Sequence, residues 1–189
     1  YPTGEPRPLA STLNLGFPGD TVPNLAMVPV GAYGKITIFS SHGAHVLGDV
    51  TGYVTDDTAA ASTTGLFVPV NPTRMFDTRP SEPGAGPKGF VSAGEMIDVQ
   101  IAGVFPVASN ASAVMINLAA VYSPPGYITV WPSGAPQPFT STLNMALAPI
   151  DTRANAAIVG LGSGGRISIF TQGGAHLLAD ASGYFLGGP

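Results

Sequence analysis

The sequence predicts an all-β protein whose strands pack as an antiparallel β-sandwich of jelly-roll type. Three observations carry that expectation. Short apolar–polar alternations recur between Gly, Pro, Ser and Asn, with turn signals every 8 to 15 residues; no capped helical window competes; and the whole pattern repeats at a fixed offset.

The alternations place strands at residues 96–101, 114–121, 127–131, 157–161, 166–171 and 176–180, with shorter ones at 66–70, 75–78 and 142–147. Side chains of a strand alternate between faces, so each segment offers one apolar side to a facing sheet. Gly (25) and Pro (19) stand singly between these runs and not in blocks, which fits many tight turns and not disorder.

The repeat is read directly. Residues 1–14 over 131–144 give 8 identities in 14 positions, and after a one-residue insertion Pro18, Asp20, Thr21 and Asn24 fall on Pro149, Asp151, Thr152 and Asn155. Residues 31–54 over 162–185 give 12 identities in 24, including GAHVLGDVTGY over GAHLLADASGY. The second copy is preceded by about 65 residues that have no counterpart before Tyr1. The expected organisation is therefore the C-terminal half of a sandwich repeat at 1–54, a polar linker at 55–64 (TDDTAAASTT), and a complete repeat at 65–189.

Four strands are expected in the half repeat, at 11–15, 25–30, 35–39 and 45–50. Were their inner face to expose ~600 Å² of apolar surface, the unfavourable hydration would reach about 15 kcal/mol at ~25 cal/mol per Å². A whole domain is stable by only about 5–15 kcal/mol. Cover has three sources: further N-terminal strands, the complete unit, or strands from another copy of the chain, the last of which builds polymers.

Composition narrows the partners. The net charge is −4 and the seven Lys and Arg are scattered, so no basic stripe matches a row of phosphates and nucleic acid is not expected. No apolar run reaches the ~18 residues of a membrane-spanning helix, and Tyr1 does not open a signal peptide, as in a mature or truncated chain. With no Cys, neither disulfides nor thiolate metal sites arise.

At Asp77-Thr78-Arg79, residues 141–144 (STLN), 154–159 (ANAAIV) and 174–185 (GAHLLADASGYF), the sequence resembles a widespread bacterial repeat of large secreted and surface proteins. Such units open with DTR, close with a GTHLILDVNGYF-like strand and occur in tandem; their biochemical role is generally unassigned. The resemblance spans 66–186 and, in half form, 1–54, where the DTR region is absent. It implies export to the cell exterior and β-structure.

Several residues invite a chemical reading. His45 and Asp49 recur as His176 and Asp180, four apart on one strand face, as a hydrogen-bonded pair of the fold or as a carboxylate-oriented imidazole. His42 and His45 point to opposite faces, so no metal site is expected there. Asp77 and Arg79, two apart, suit a structural charge-assisted clamp. Asn14 and Asn144, like Asn24 and Asn155, suit turn backbone groups. Tyr1 and Trp131 share one repeat position, and with Tyr127 they could form an aromatic platform for sugar rings. The carboxylates Asp49, Asp98, Asp180 and Glu95 are not paired by any motif. No GxSxG, HExxH, P-loop or EF-hand occurs. The expectation is a non-enzymatic, cofactor-free structural or adhesive subunit that partners copies of itself, with a glycan-binding module as the alternative and a hydrolase third.

Overall fold

The computed structural model describes residues 1–146 and 151–188. The C-terminal unit is the expected sandwich. Its strands are β1 (Phe67–Asp77), β2 (Met96–Gln100), β3 (Ala111–Ser123), β4 (Gly126–Pro132), β5 (Leu143–Met145), β6 (Asp151–Gly160), β7 (Arg166–Thr171) and β8 (His176–Leu186). One sheet runs β1-β8-β3-β6 and the other β2-β7-β4-β5, with every neighbouring pair antiparallel.

Alternation explains which faces meet. Val114, Ile116 and Leu118 of β3 point inward beside Phe76, and Ile167 and Ile169 of β7 with Ile128 and Leu143 meet them from the other sheet, all in one buried cluster. The two segments expected at 66–70 and 75–78 are one strand. The register shifts around Pro72, which β1 tolerates because it lies at a sheet edge where a missing N–H breaks no inner ladder. A second shift between Arg74 and Phe76 leaves Met75, Phe76 and Asp77 all buried. The strand expected at 142–147 is shorter, and its end at Leu147, like Pro149, lies outside the described residues.

The N-terminal unit corrects the expectation. Residues 1–66 contain no strand, only a bridge between Pro2 and Ile36 and a short 3-10 turn at Ala32–Gly34. The topology of the complete unit gives the reason. There β6 and β8 both bond to β3 and not to each other, β7 bonds to β2 and β4, and β5 bonds to β4. The half repeat carries the counterparts of β5 to β8, none of which neighbours another, so its extended segments lack their ladder partners apart from the Pro2–Ile36 bridge. A strand exists only as part of a pair.

Local conformation nevertheless matches between the copies. Thr3 N donates to Lys35 O at 3.2 Å as Ser133 N does to Arg166 O at 3.2 Å. Gly31 N to Lys35 O and Gly162 N to Arg166 O are both 2.9 Å; Ala32 N to Thr3 O and Ser163 N to Ser133 O are both 2.8 Å. A Cβ at Gly31 would lie 2.3 Å from the Thr3 backbone, and one at Gly162 2.0 Å from Ser133 O, so only glycine lets these chains cross. Burial does not match: Ile36 and Ile38 are 50% and 61% exposed where Ile167 and Ile169 are 0%, and Leu47 is 87% exposed where Leu178 is 7%.

Candidate functional site

Several charged residues of this charge-poor chain converge where β1 leaves its sheet beside β8. The bulge in β1 buries Asp77 completely, and a carboxylate removed from water needs donors. Arg79 supplies three: its main-chain N–H at 2.9 Å and Nε at 3.1 Å to Oδ1, and Nη2 at 2.7 Å to Oδ2. Arg74 Nη1 also donates to Oδ2, while its Nε donates to Asp180 Oδ1 at 2.5 Å. Lys88 Nζ ties the loop down through Asp77 O at 2.7 Å and Glu82 O at 2.9 Å.

Burial pushes the Asp77 carboxyl upward, but the Arg79 side-chain and main-chain hydrogen bonds and both guanidinium charges outweigh it and hold it below the ordinary aspartate range. The hydrogen bond to Asp180, against the opposing effect of burial, raises Arg74. Asp77 and Arg79 thus form the clamp their spacing suggested.

His176 and Asp180 do not form a pair. Asp180 is taken by Arg74, and His176 Nδ1 faces Thr78 Oγ1 at 3.4 Å with its ring edge-on to Phe90 at 5.3 Å. In the N-terminal unit His45 and Asp49 stand exposed, with no side-chain hydrogen bond among the described residues. The corresponding partners in the complete unit, Arg74 and Thr78, lie on β1 and just after it, and residues 1–66 hold no counterpart of that segment.

A second polar cluster sits on the other sheet. Ser133 Oγ donates to Asp98 Oδ1 at 3.0 Å, Ser168 Oγ donates to the same oxygen, and the two hydroxyls are 3.0 Å apart. The N-terminal unit repeats the hydroxyl pair as Thr3 and Thr37, 2.9 Å apart, without a carboxylate.

The aromatic platform does not form around its expected centre. Trp131 is 5% exposed and its indole N–H donates to Ala135 O at 3.0 Å, because β4 turns this side chain under the hairpin. Tyr127 is half-buried beside Phe170, ring centroids 5.8 Å apart, and half-buried Tyr1 bonds through its main chain to Thr37. Asn24 and Asn155 do serve the backbone, donating to Thr12 O at 2.6 Å and Thr142 O at 3.0 Å. Asn14 instead donates to Ser11 Oγ at 3.1 Å, and Asn144 makes no side-chain hydrogen bond among the described residues.

Sequence reading missed Arg74, whose position three before Asp77 gave no strand-face signal because the bulge breaks alternation. It also missed the second DTR at Asp151-Thr152-Arg153, visible as a repeated triplet. There Arg153 Nε donates to Asp151 Oδ2 at 2.7 Å, and its Nη1 reaches Asp20 Oδ1 of the other copy at 3.6 Å. Among the described residues no group of three His, Cys, Asp or Glu could hold a metal, and no helix is long and apolar enough to cross a membrane.

Fold and site together define an all-β, two-sheet protein whose polar clusters are internally satisfied. No family model, curated protein or solved structure matches the chain.

Proposed function

We propose that the chain is a structural or adhesive subunit of a bacterial cell exterior, in which sandwich units join through strands shared between neighbouring chains. The observation that carries this reading is the N-terminal unit: its turns keep the geometry of the complete repeat, yet Ile36, Ile38, Val46, Leu47 and Val50 stand in solvent where their counterparts are core or near-core. Exposed apolar residues in register with a known core mark a surface that joins other β-structure. Enzymatic chemistry finds little support, since Asp77, Asp180 and His176 are each engaged within the fold. A glycan platform has lost Trp131, its main aromatic.

Native-state mass spectrometry of residues 1–189, with electron microscopy, tests the reading. Masses of several chains or a periodic thread are expected; a freely soluble monomer at all concentrations overturns it.

A further inference from the structure

We infer that the open N-terminal unit takes up a half-repeat polypeptide with the pattern of this chain's own β1 to β4. The inference rests on the strand-sharing reading above and specifies the occupant. The segments at 13–15, 20–29, 35–40 and 45–55 correspond to β5, β6, β7 and β8, which hold alternate places in the two sheets. The empty places are therefore those of β1 and β3 in one sheet and of β2 and most of β4 in the other. The end of β4 is already filled, since Pro2 bridges Ile36 as Pro132 pairs with Ile167.

Edge chemistry points the same way. In the complete unit Leu161 N donates to Ser112 O beside β3, so strand alternation turns the N–H groups of Val159, Ala157 and Asn155 toward β3 and those of Ala154 and Gly160 away. Pro23 and Pro29 stand at the Ala154 and Gly160 positions. The two prolines remove only outward donors, which blocks pairing at the outer edge. The donors of Asn24, Ala26 and Val28, which face the empty β3 place, are all kept.

Side chains specify the occupant further. Asp49 needs the arginine that Arg74 gives Asp180, four residues before the threonine that Thr78 sets against His176. The Thr3–Thr37 pair needs the aspartate that Asp98 gives Ser133 and Ser168. A neutral β-strand would leave these groups unpartnered beneath new cover.

Residues 1–189 hold one β1–β4 set and two β5–β8 sets, so a set shared between copies of this stretch leaves one β5–β8 set per copy open. The occupant is a half repeat that is not already closed by its own β5 to β8.

The test joins a second copy of residues 66–130 ahead of Tyr1 of the full chain, which reproduces the Val130–Trp131 junction, and follows hydrogen exchange at residues 45–51. In the unextended chain these amides are expected to exchange freely, and in the extended one at least about 100-fold more slowly. Arg74→Gln made only in the added copy should remove much of that gain without touching residues 176–182, and Arg74→Lys should keep more of it. The inference falls if extension brings no slowing. It falls equally if the unextended chain is already protected in proportion to its concentration, because a second copy then covers the face. An unextended chain that stays monomeric while extension brings protection sinks the strand-sharing assembly and leaves this inference standing; large assemblies with no gain on extension do the reverse.

Discussion

The two copies of the repeat share their turns and differ in everything that needs a partner. Around Gly31 and Gly162 the hydrogen bonds agree to within 0.3 Å, because they close within some 35 residues of the same chain segment. A few residues further on, β7 and β8 are ladders in one copy and solvated extended chain in the other. Local sequence thus dictates where the backbone crosses and turns, whereas strand identity and burial are dictated by neighbours supplied from elsewhere.

That contrast is most exposed to test at matched core positions. Ile169→Ala should cost about 2–5 kcal/mol in urea unfolding, as expected for a buried large-to-small change, while Ile38→Ala should stay within about 0.5 kcal/mol. Equal losses at both would show that the N-terminal copy has found cover. Next comes the buried carboxylate. Asp77→Asn should destabilise the C-terminal unit by about 2–3 kcal/mol, through weakened charged hydrogen bonds from Arg74 and Arg79. Asp49→Asn should leave unfolding unchanged.

Acid sharpens the same distinction. Burial pushes Asp151 upward, but the Arg153 side chain and the N–H groups of Ala146 and Thr152 hold it below the ordinary range, as Asp77 is held. A carboxyl lowered in the folded state contributes stability that is complete above its unfolded value and disappears as pH falls through the folded one. The unfolding midpoint of the C-terminal unit should therefore decline below about pH 3.9, and Asp77→Asn should flatten the decline; an unaltered slope would remove Asp77 from the account. Smallest is the hydroxyl pair. Ser168→Ala should cost about 1 kcal/mol and Thr37→Ala less than about 0.5 kcal/mol, unless a carboxylate meets the Thr37 hydroxyl in solution.

Alternation made β2, β3, β4, β7 and β8 legible, since apolar residues recur at every second position on the face that meets the opposite sheet, even where β4, β7 and β8 bury their other face as well. It failed at β1, where two irregularities break the period and merge two expected segments into one strand. Asp77 and Arg79 could be read from spacing, but Arg74 could not, because its reach to Asp180 depends on the β1–β8 register. Trp131 was misread for a related reason: the residues that follow it are polar and proline-rich, and the turn that brings Ala135 back to its indole N–H is set by the fold and not by strand alternation. The four N-terminal strands were legible as propensity and absent as structure, which is what a missing β3 and β4 require.

The chain steps from one sheet to the other at nearly every strand, and the last to be made, β8, is wedged between the first and the third. A nascent repeat leaving a ribosome or threading a narrow pore from its N-terminus therefore cannot complete the β1-β8-β3-β6 layer, or the sandwich, until His176–Leu186 has emerged. Up to that moment β1 and β3 have nothing between them, so each repeat travels as a pliant thread and locks only when its final eleven residues arrive.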